Sequence, residues 1–159
     1  MSTAARSSSR NSRVIDASRE KLYEAFTSPE ALMTWQAPGA MTAKIHHFDH
    51  RVGGGYEMSL FYPDDDNDSQ GKTAGKEDRY TARFVELVPA RKIVQAITFD
   101  TQNPEFAGEM IMEVTFVTKG SGTEVTVLFK NIPHGISAED NEEGTASSLE
   151  KLAAYVAKE

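Results

Sequence analysis

The hydrophobic period changes along this chain, and the change constrains the fold more than any other feature. Between residues 42 and 129 apolar side chains recur at about every second position, most regularly in segment 56–62. That alternation is typical of strands with one buried face. In segment 149–156 apolar residues recur at i, i+3, i+4 and i+7, which indicates an amphipathic helix over about residues 140–158. A sheet with one apolar face needs a cover, and this helix can supply it.

The predicted elements follow the order strand, two short helices, a run of about six strands and one long helix. The first strand covers residues 13–17, and Ser18 then fits the N-cap of a helix. Ser28 followed by Pro29 begins a second helix, which ends at the Pro-Gly pair 38–39. Short turns between consecutive strands imply an antiparallel sheet of about six to seven strands. The predicted fold class is therefore α+β.

Composition and charge exclude several kinds of function. The 159 residues include no cysteine, which rules out disulfides, thiolate metal sites and thiol catalysis. A formal net charge of -7 argues against nucleic acid as a partner. No apolar run approaches the roughly 20 residues that span a bilayer, so we expect no membrane span. With no secretory signal, we expect a cytoplasmic location.

The N-terminus differs in composition from the rest of the chain. Residues 1–12 are rich in serine and arginine and contain no acidic residue. We predict a flexible tail there, ahead of a single domain over residues 13–159. Transit peptides share this composition, so a targeting segment stays open as an alternative.

Five segments, by their order and spacing, resemble the family of homologues of the activator of the heat-shock-protein-90 ATPase, within the START-like superfamily. Segment 14–27, VIDASREKLYEAFT, resembles the family's opening strand and helix, and segment 32–38 resembles a helix end. Segment 48–54, FDHRVGG, is similar to its glycine-ended second strand, and segment 84–89 to the next hairpin. Segment 143–152 resembles the closing helix.

This resemblance implies a helix-grip fold, as in Bet v 1-type allergens and polyketide cyclases. A curved antiparallel sheet would wrap around the long C-terminal helix and leave a cavity that holds apolar molecules in relatives. Several predicted inward-facing residues are methionines, which suit adaptable apolar walls; plain core packing is the alternative for each position. The residues that we expect to line the cavity are Trp35, Phe48, Met58, Leu60, Tyr62, Phe84, Ile97, Phe99, Met110, Met112, Val114 and Leu152.

Three functions are open at this point. The first is binding of a small hydrophobic molecule in the cavity. The second is a cyclase- or hydrolase-type enzyme that uses the same cavity, with His46, Asp49 and Tyr80 as candidate acid–base residues. The third is a chaperone-associated interaction module. The family's co-chaperone member carries a further domain ahead of this one. We therefore favour a small-molecule ligand over a chaperone partner. We expect no cofactor, and a homodimer stays open.

One position departs from the family pattern. An aromatic residue often follows the Glu-Gly pair of the closing helix, and here Thr145 stands after Glu143 and Gly144. Thr145 is therefore a departure from the pattern that the resemblance implies.

The histidines at 46, 47 and 50 invite a metal hypothesis, but strand geometry argues against it. His46 and His50 share a face yet lie about 13 Å apart in an extended strand. Zinc–nitrogen bonds are about 2 Å, and His47 points to the opposite face. We predict no metal site, and a histidine in the cavity wall is the alternative. Asp49 and Arg51 share a face and are expected to form a surface ion pair or to hold a polar ligand group.

Segment 63–77, PDDDNDSQGKTAGKE, contains fragments of two motifs. Started at Asp66 it fits the EF-hand pattern except at Gln70, but strands rather than helices are predicted on both sides. GKT at 71–73 resembles the end of a P-loop, yet the required earlier glycine is Asp66 and no helix follows. We predict an overlong, flexible hairpin connection that lies over the cavity mouth or extends to a partner subunit.

Overall fold

A computed structural model describes residues 7–37, 39–63 and 77–157. Within these ranges the chain forms seven strands, three α-helices and one short 3₁₀ turn. In chain order they are β1 (Ser7–Ile15), α1 (Arg19–Phe26), α2 (Pro29–Trp35), β2 (Thr42–Asp49), β3 (Gly55–Phe61), β4 (Glu77–Val88), β5 (Lys92–Phe99), the 3₁₀ turn (Pro104–Phe106), β6 (Glu109–Lys119), β7 (Gly122–Ile132) and α3 (Ala138–Ala157).

The seven strands form one antiparallel sheet in the order β1-β7-β6-β5-β4-β3-β2. Irregular register within β1, β2 and β4 marks bulges, which increase the local twist of a sheet. Two short helices follow β1 and the long helix closes the chain. The predicted α+β class and helix-grip arrangement are thus confirmed.

β1 begins at Ser7, earlier than the predicted start at residue 13. Its polar sequence carries no alternating apolar signal, but side-chain hydrogen bonds join this strand to its neighbours. Ser12 Oγ lies 2.9 Å from Thr126 Oγ1 of β7, and Asn141 Nδ2 of α3 donates to Ser9 Oγ at 2.8 Å. The second half of the predicted tail therefore belongs to the sheet, whereas its first six residues lie outside the described part.

The two short helices begin where the sequence predicts. Ser18 Oγ accepts a hydrogen bond from the Lys21 amide at 3.1 Å, and Ser28 Oγ accepts one from the Ala31 amide at 3.4 Å. Pro29 occupies the first helical position, where its missing N–H costs nothing. These caps fix α1 and α2 as separate helices, so that each can bury its own face.

The helices cover the inner face of the sheet. α1 lies against β6, α2 against β2, and α3 against β1, α1 and α2. The buried stripe of α3 consists of Leu149, Leu152 and Val156, at the helical spacing that the sequence predicts. Across the described ranges, none of the helices combines the length and the apolar character needed to cross a membrane.

Candidate functional site

A pocket of about 500 Å³ lies between the inner face of the sheet and the first half of α3. Its floor is apolar and comes from alternate residues of β4, β5, β6 and β7, because alternate strand residues face the same side. The methionines on β6 are flexible and polarizable, so this surface can adapt to different apolar shapes. The floor side chains are Tyr80, Ile97, Phe99, Met110, Met112, Val127 and Phe129.

Phe26 and Trp35 border one end of the pocket as an aromatic pair. Their ring centroids lie 4.7 Å apart in an edge-to-face arrangement. Trp35 Nε1 donates a hydrogen bond to the Ala25 carbonyl at 3.0 Å, and the side chain is 2% exposed. The buried indole is thus held in one orientation and forms a fixed end wall.

Two polar groups interrupt the apolar floor. Asp78 is 2% exposed, and its Oδ2 accepts a hydrogen bond from the Tyr62 hydroxyl at 3.2 Å. The Tyr80 hydroxyl donates to Met58 Sδ at 3.1 Å. Burial raises the pKa of Tyr80 well above its ordinary value, and the neighbouring Tyr56 raises it further. Tyr80 therefore stays neutral near physiological pH and does not act as a general base there.

The first half of α3 gives the pocket a polar wall. Asp140, Asn141, Thr145 and Ser148 line it, at spacings that keep them on one side of the helix. Thr145 Oγ1 donates to the Asn141 carbonyl at 2.8 Å, and Ser148 Oγ donates to the Gln36 carbonyl at 2.6 Å. Their protons are used within the protein, so these two oxygens remain available as acceptors.

Hydrogen bonds to the α2–β2 connection hold α3 over the pocket. Lys151 Nζ donates to the Ala37 carbonyl at 2.5 Å, and the Gly39 amide donates to Ser147 Oγ at 2.8 Å. Together with the Ser148 bond they fix the helix at three places along this connection. The side chains of the polar wall therefore lie on a helix, α3, whose position is fixed by these hydrogen bonds.

A rim of two connections closes one side of the pocket mouth. Phe106 of the 3₁₀ turn and Gly135 and Ile136 of the β7–α3 connection all line it. The Gly135 amide donates to the Glu105 carbonyl at 2.7 Å. A Cβ at Gly135 would lie 2.6 Å from Phe106 Cε1. The two connections thus pack closely against each other, and any side chain at Gly135 would require Phe106 to shift.

All but one of the predicted cavity residues fall into two groups. Trp35, Leu60, Tyr62, Ile97, Phe99, Met110 and Met112 border the pocket. Met58, Phe84, Val114 and Leu152 instead pack in the closed core with at most 1% exposure. Phe48 is half-buried and stacks on Tyr56 at a centroid distance of 5.5 Å. Alternation identifies the inner face of the sheet, but the helices decide which end of that face is filled.

Of the three candidate acid–base residues only Tyr80 lines the pocket. His46 is exposed, and its Nε2 lies 2.8 Å from Ser59 Oγ. Ser59 stands between two inward-facing residues of β3 and so faces the opposite side of the sheet. Asp49 forms an exposed ion pair with Arg51 at 2.7 Å. Neither His46 nor Asp49 therefore lines the pocket, and a bulge in β2 lies next to His46.

The metal hypotheses concern two parts of the chain, of which the structure describes only one. Within residues 7–37, 39–63 and 77–157, no three histidine, aspartate or glutamate side chains are grouped so as to hold a metal ion. Residues 64–76, which hold the P-loop fragment and all of the EF-hand pattern except Glu77, fall outside the described residues.

Sequence reasoning missed the polar wall on α3 and the rim formed by Phe106, Gly135 and Ile136. A signal for the wall exists, because Asn141, Thr145, Ser148 and Leu152 continue the helical spacing of the buried stripe toward the N-terminus. The rim offers no comparable signal. Phe106 meets Gly135 only because β6 and β7, which are paired, bring the two connections together.

Comparison with known proteins shows which family and which solved structures this chain resembles. The family model described as "Activator of Hsp90 ATPase homolog 1-like protein" matches residues 16–157. The crystal structure of protein CV1439 from Chromobacterium violaceum is 31% identical, with a TM-score of 0.83 and coverage of 94% of this chain and 96% of that one. Protein Mll3558 from Rhizobium loti is 28% identical, with a TM-score of 0.71 and coverage of 93% and 95%.

More distant structures share the fold alone. A solution structure from Staphylococcus epidermidis is 17% identical, with a TM-score of 0.75 and coverage of 98% of this chain and 93% of that one. A search of curated proteins found no significant match.

Proposed function

We propose that this chain, which belongs to the family of activator of Hsp90 ATPase homolog 1-like proteins, binds a small apolar molecule in the pocket between sheet and α3. The observation that carries the proposal is the pocket itself, about 500 Å³ with an apolar floor. Ligand pockets for small molecules typically measure about 300–1,000 Å³ and are lined mainly by apolar side chains with a few polar groups.

The character of the lining supports binding more than catalysis. The ionisable groups among the described lining residues are Tyr62, Asp78, Tyr80 and Asp140. Burial keeps Tyr80 neutral, and the histidine that the enzyme alternative relied on lies on the opposite side of the sheet. The enzyme alternative therefore has no specific observation in its favour. A chaperone partner, a homodimer and a cytoplasmic location stay predictions from the sequence.

Trp35 provides a direct assay. It is the single tryptophan of the chain and borders the pocket. An apolar ligand in contact with the indole should change its emission, and native mass spectrometry of the purified protein should detect a co-purifying small molecule. An uncharged dye such as Nile red serves as the test ligand where no natural one is retained. Absence of both retained molecules and dye uptake would contradict the proposal.

Thr145→Phe tests whether the pocket is the binding site. The larger side chain projects from the polar wall toward the floor, so dye binding should fall by about tenfold or more while the fold is kept. Ala146→Phe is the matched control, because Ala146 is the next residue on α3 and is exposed. If Thr145→Phe and Ala146→Phe both bind the dye as well as the unmodified protein does, the binding site is not this pocket.

A further inference from the structure

We propose that the pocket selects amphiphiles whose polar group donates hydrogen bonds, namely alcohols and amines, and discriminates against carboxylates. This inference rests on the proposed function and adds the chemical class of the ligand. It follows from the direction of the hydrogen bonds around the pocket and from the charges of the side chains that line it.

The lining hydroxyl groups have already committed their protons. Tyr80 donates to Met58 Sδ at 3.1 Å, Thr145 to the carbonyl of Asn141 at 2.8 Å, and Ser148 to a backbone carbonyl of the α2–β2 connection at 2.6 Å. A hydroxyl oxygen that donates its one proton can still accept through its lone pairs. Toward a ligand these three groups therefore act as acceptors.

The charged groups act in the same direction. Asp78 on the floor accepts a hydrogen bond from Tyr62, and the solvent-exposed Asp140 lines the helix wall; a carboxylate accepts hydrogen bonds without donating any. Among the described lining residues there is no lysine, arginine or histidine to neutralise an anionic ligand. A carboxylate placed here would lose water without gaining a cationic partner, which is unfavourable in a largely apolar site.

Two amides complete the lining. Asn141 Nδ2 donates to Ser9 Oγ at 2.8 Å, outside the pocket lining, and Gln36 contributes a buried Oε1 that has no hydrogen-bond donor in the described structure. Amide groups can adapt to either a donor or an acceptor, but they carry no charge. They add no positive charge to the described lining, so the pocket as a whole favours a neutral or cationic polar group.

The test uses three probes that share one alkyl chain. Dodecanol, dodecylamine and dodecanoate compete with Nile red for the full-length protein at neutral pH, where the amine is cationic and the acid anionic. We expect the alcohol and the amine to displace the dye at concentrations about tenfold lower than dodecanoate. Measurement at about physiological ionic strength limits long-range effects of the protein's net charge.

Asp140→Asn separates the pocket charge from the overall charge. It should reduce the affinity for dodecylamine by more than that for dodecanol, because the amide that replaces the carboxylate keeps an acceptor oxygen but carries no charge. Glu139→Gln is the matched control, because Glu139 is the adjacent acidic residue in the first turn of α3 and does not line the pocket. We expect this control to bind all three probes like the unmodified protein.

The outcomes distinguish this inference from the function on which it rests. Displacement by dodecanoate at concentrations equal to or lower than those of the alcohol would overturn the selectivity and leave apolar binding intact. Equal effects of Asp140→Asn and Glu139→Gln on amine binding would also overturn it, since the pocket carboxylate would then have no role. Failure of Nile red and of all three probes to bind would overturn both proposals.

Discussion

The two ends of the inner sheet face differ although the same strands build them. At the closed end, Phe84, Ile93, Val114 and Val125 are at most 1% exposed and form part of a continuous core. At the open end, inward-facing residues further along the same strands border the pocket. The difference comes from the cover, because α1 packs against β6 at the closed end, whereas Phe26 and Trp35 form the wall where the pocket begins. A strand pattern thus specifies a face, and the helices decide where it is filled.

α3 repeats this difference along its own length. Its second half presents Leu152 and Val156 to the closed core, at 0% and 3% exposure. Its first half presents Asp140, Thr145 and Ser148 to the pocket. Polar residues at inward-facing positions do not drive closure by apolar burial, so space remains between this half of the helix and the sheet.

A buried polar pair lies beside the boundary. Gln95 is 2% exposed, and its Nε2 donates to the Tyr56 hydroxyl at 3.3 Å. Burial raises the pKa of Tyr56, and the hydrogen bond from Gln95 acts against that shift. An apolar side chain could fill the same volume, so the pair specifies the packing near the boundary rather than adding much stability.

Gly55→Ala tests the rigidity of the closed end and should have the largest effect. Gly55 has φ of +150°, and an added Cβ would lie 1.9 Å from the backbone oxygen of Ala82. Because that neighbour is backbone in a paired strand, we expect a loss of about 4 kcal/mol or more in the free energy of unfolding. Urea denaturation measures it, and Gly53→Ala, with φ of +88° and no atom within 4 Å, is the control for backbone strain alone.

The open end should tolerate the corresponding change better. Gly135→Ala meets the Phe106 ring edge at 2.6 Å, and this side chain can turn, although Glu105 O at 2.9 Å also limits the space. We expect a loss of about 1–2 kcal/mol in the free energy of unfolding. A loss as large as that of Gly55→Ala would show that the rim is as rigid as the core.

Truncation of buried side chains provides the second comparison. Leu152→Ala removes a side chain that is 0% exposed at the closed end and should cost about 3 kcal/mol. Met110→Ala removes one that borders the pocket, where fewer packing partners are lost, so about 1–2 kcal/mol is expected. Urea denaturation of both variants measures the difference, and equal costs would mean that the two ends are packed alike.

Tyr80→Phe should have the smallest effect at neutral pH and a pH-dependent one above it. The raised pKa of Tyr80 means that the folded state favours the neutral phenol, so its contribution to stability is complete below the unfolded pKa of about 10 and is lost as pH rises. The unmodified protein should therefore lose stability between about pH 9 and pH 11 more steeply than Tyr80→Phe.

The loss of the hydrogen bond to Met58 Sδ should cost Tyr80→Phe about 0.5–1 kcal/mol at neutral pH. Tyr155→Phe, on α3, is the control, because it removes one phenol that is not part of the buried Tyr56–Tyr80 contact. A stability difference between Tyr80→Phe and the unmodified protein that stays constant across this pH range would contradict the assignment.

The elements that the sequence predicted well are those whose signal is local. Serine caps located α1 and α2, alternation located the strands, and the helical period placed α3 within about two residues at its N-terminus. β1 was placed too late because its first residues are polar and gain their order from pairing with β7. The predicted cavity residues lie partly at the pocket and partly in the closed core, since no local pattern records which helix covers which strand segment.

By itself, the sequence determined the antiparallel sheet, its inward face and the long helix that covers it, because side-chain period is a property of consecutive residues. Tertiary structure alone decided that Met110 borders a pocket while Val114, four residues along the same strand, lies in solid core. It also turned His46 away from the pocket and brought Asp140 to it. These outcomes depend on how elements far apart in the chain pack together, and such contacts leave no periodic trace in the sequence.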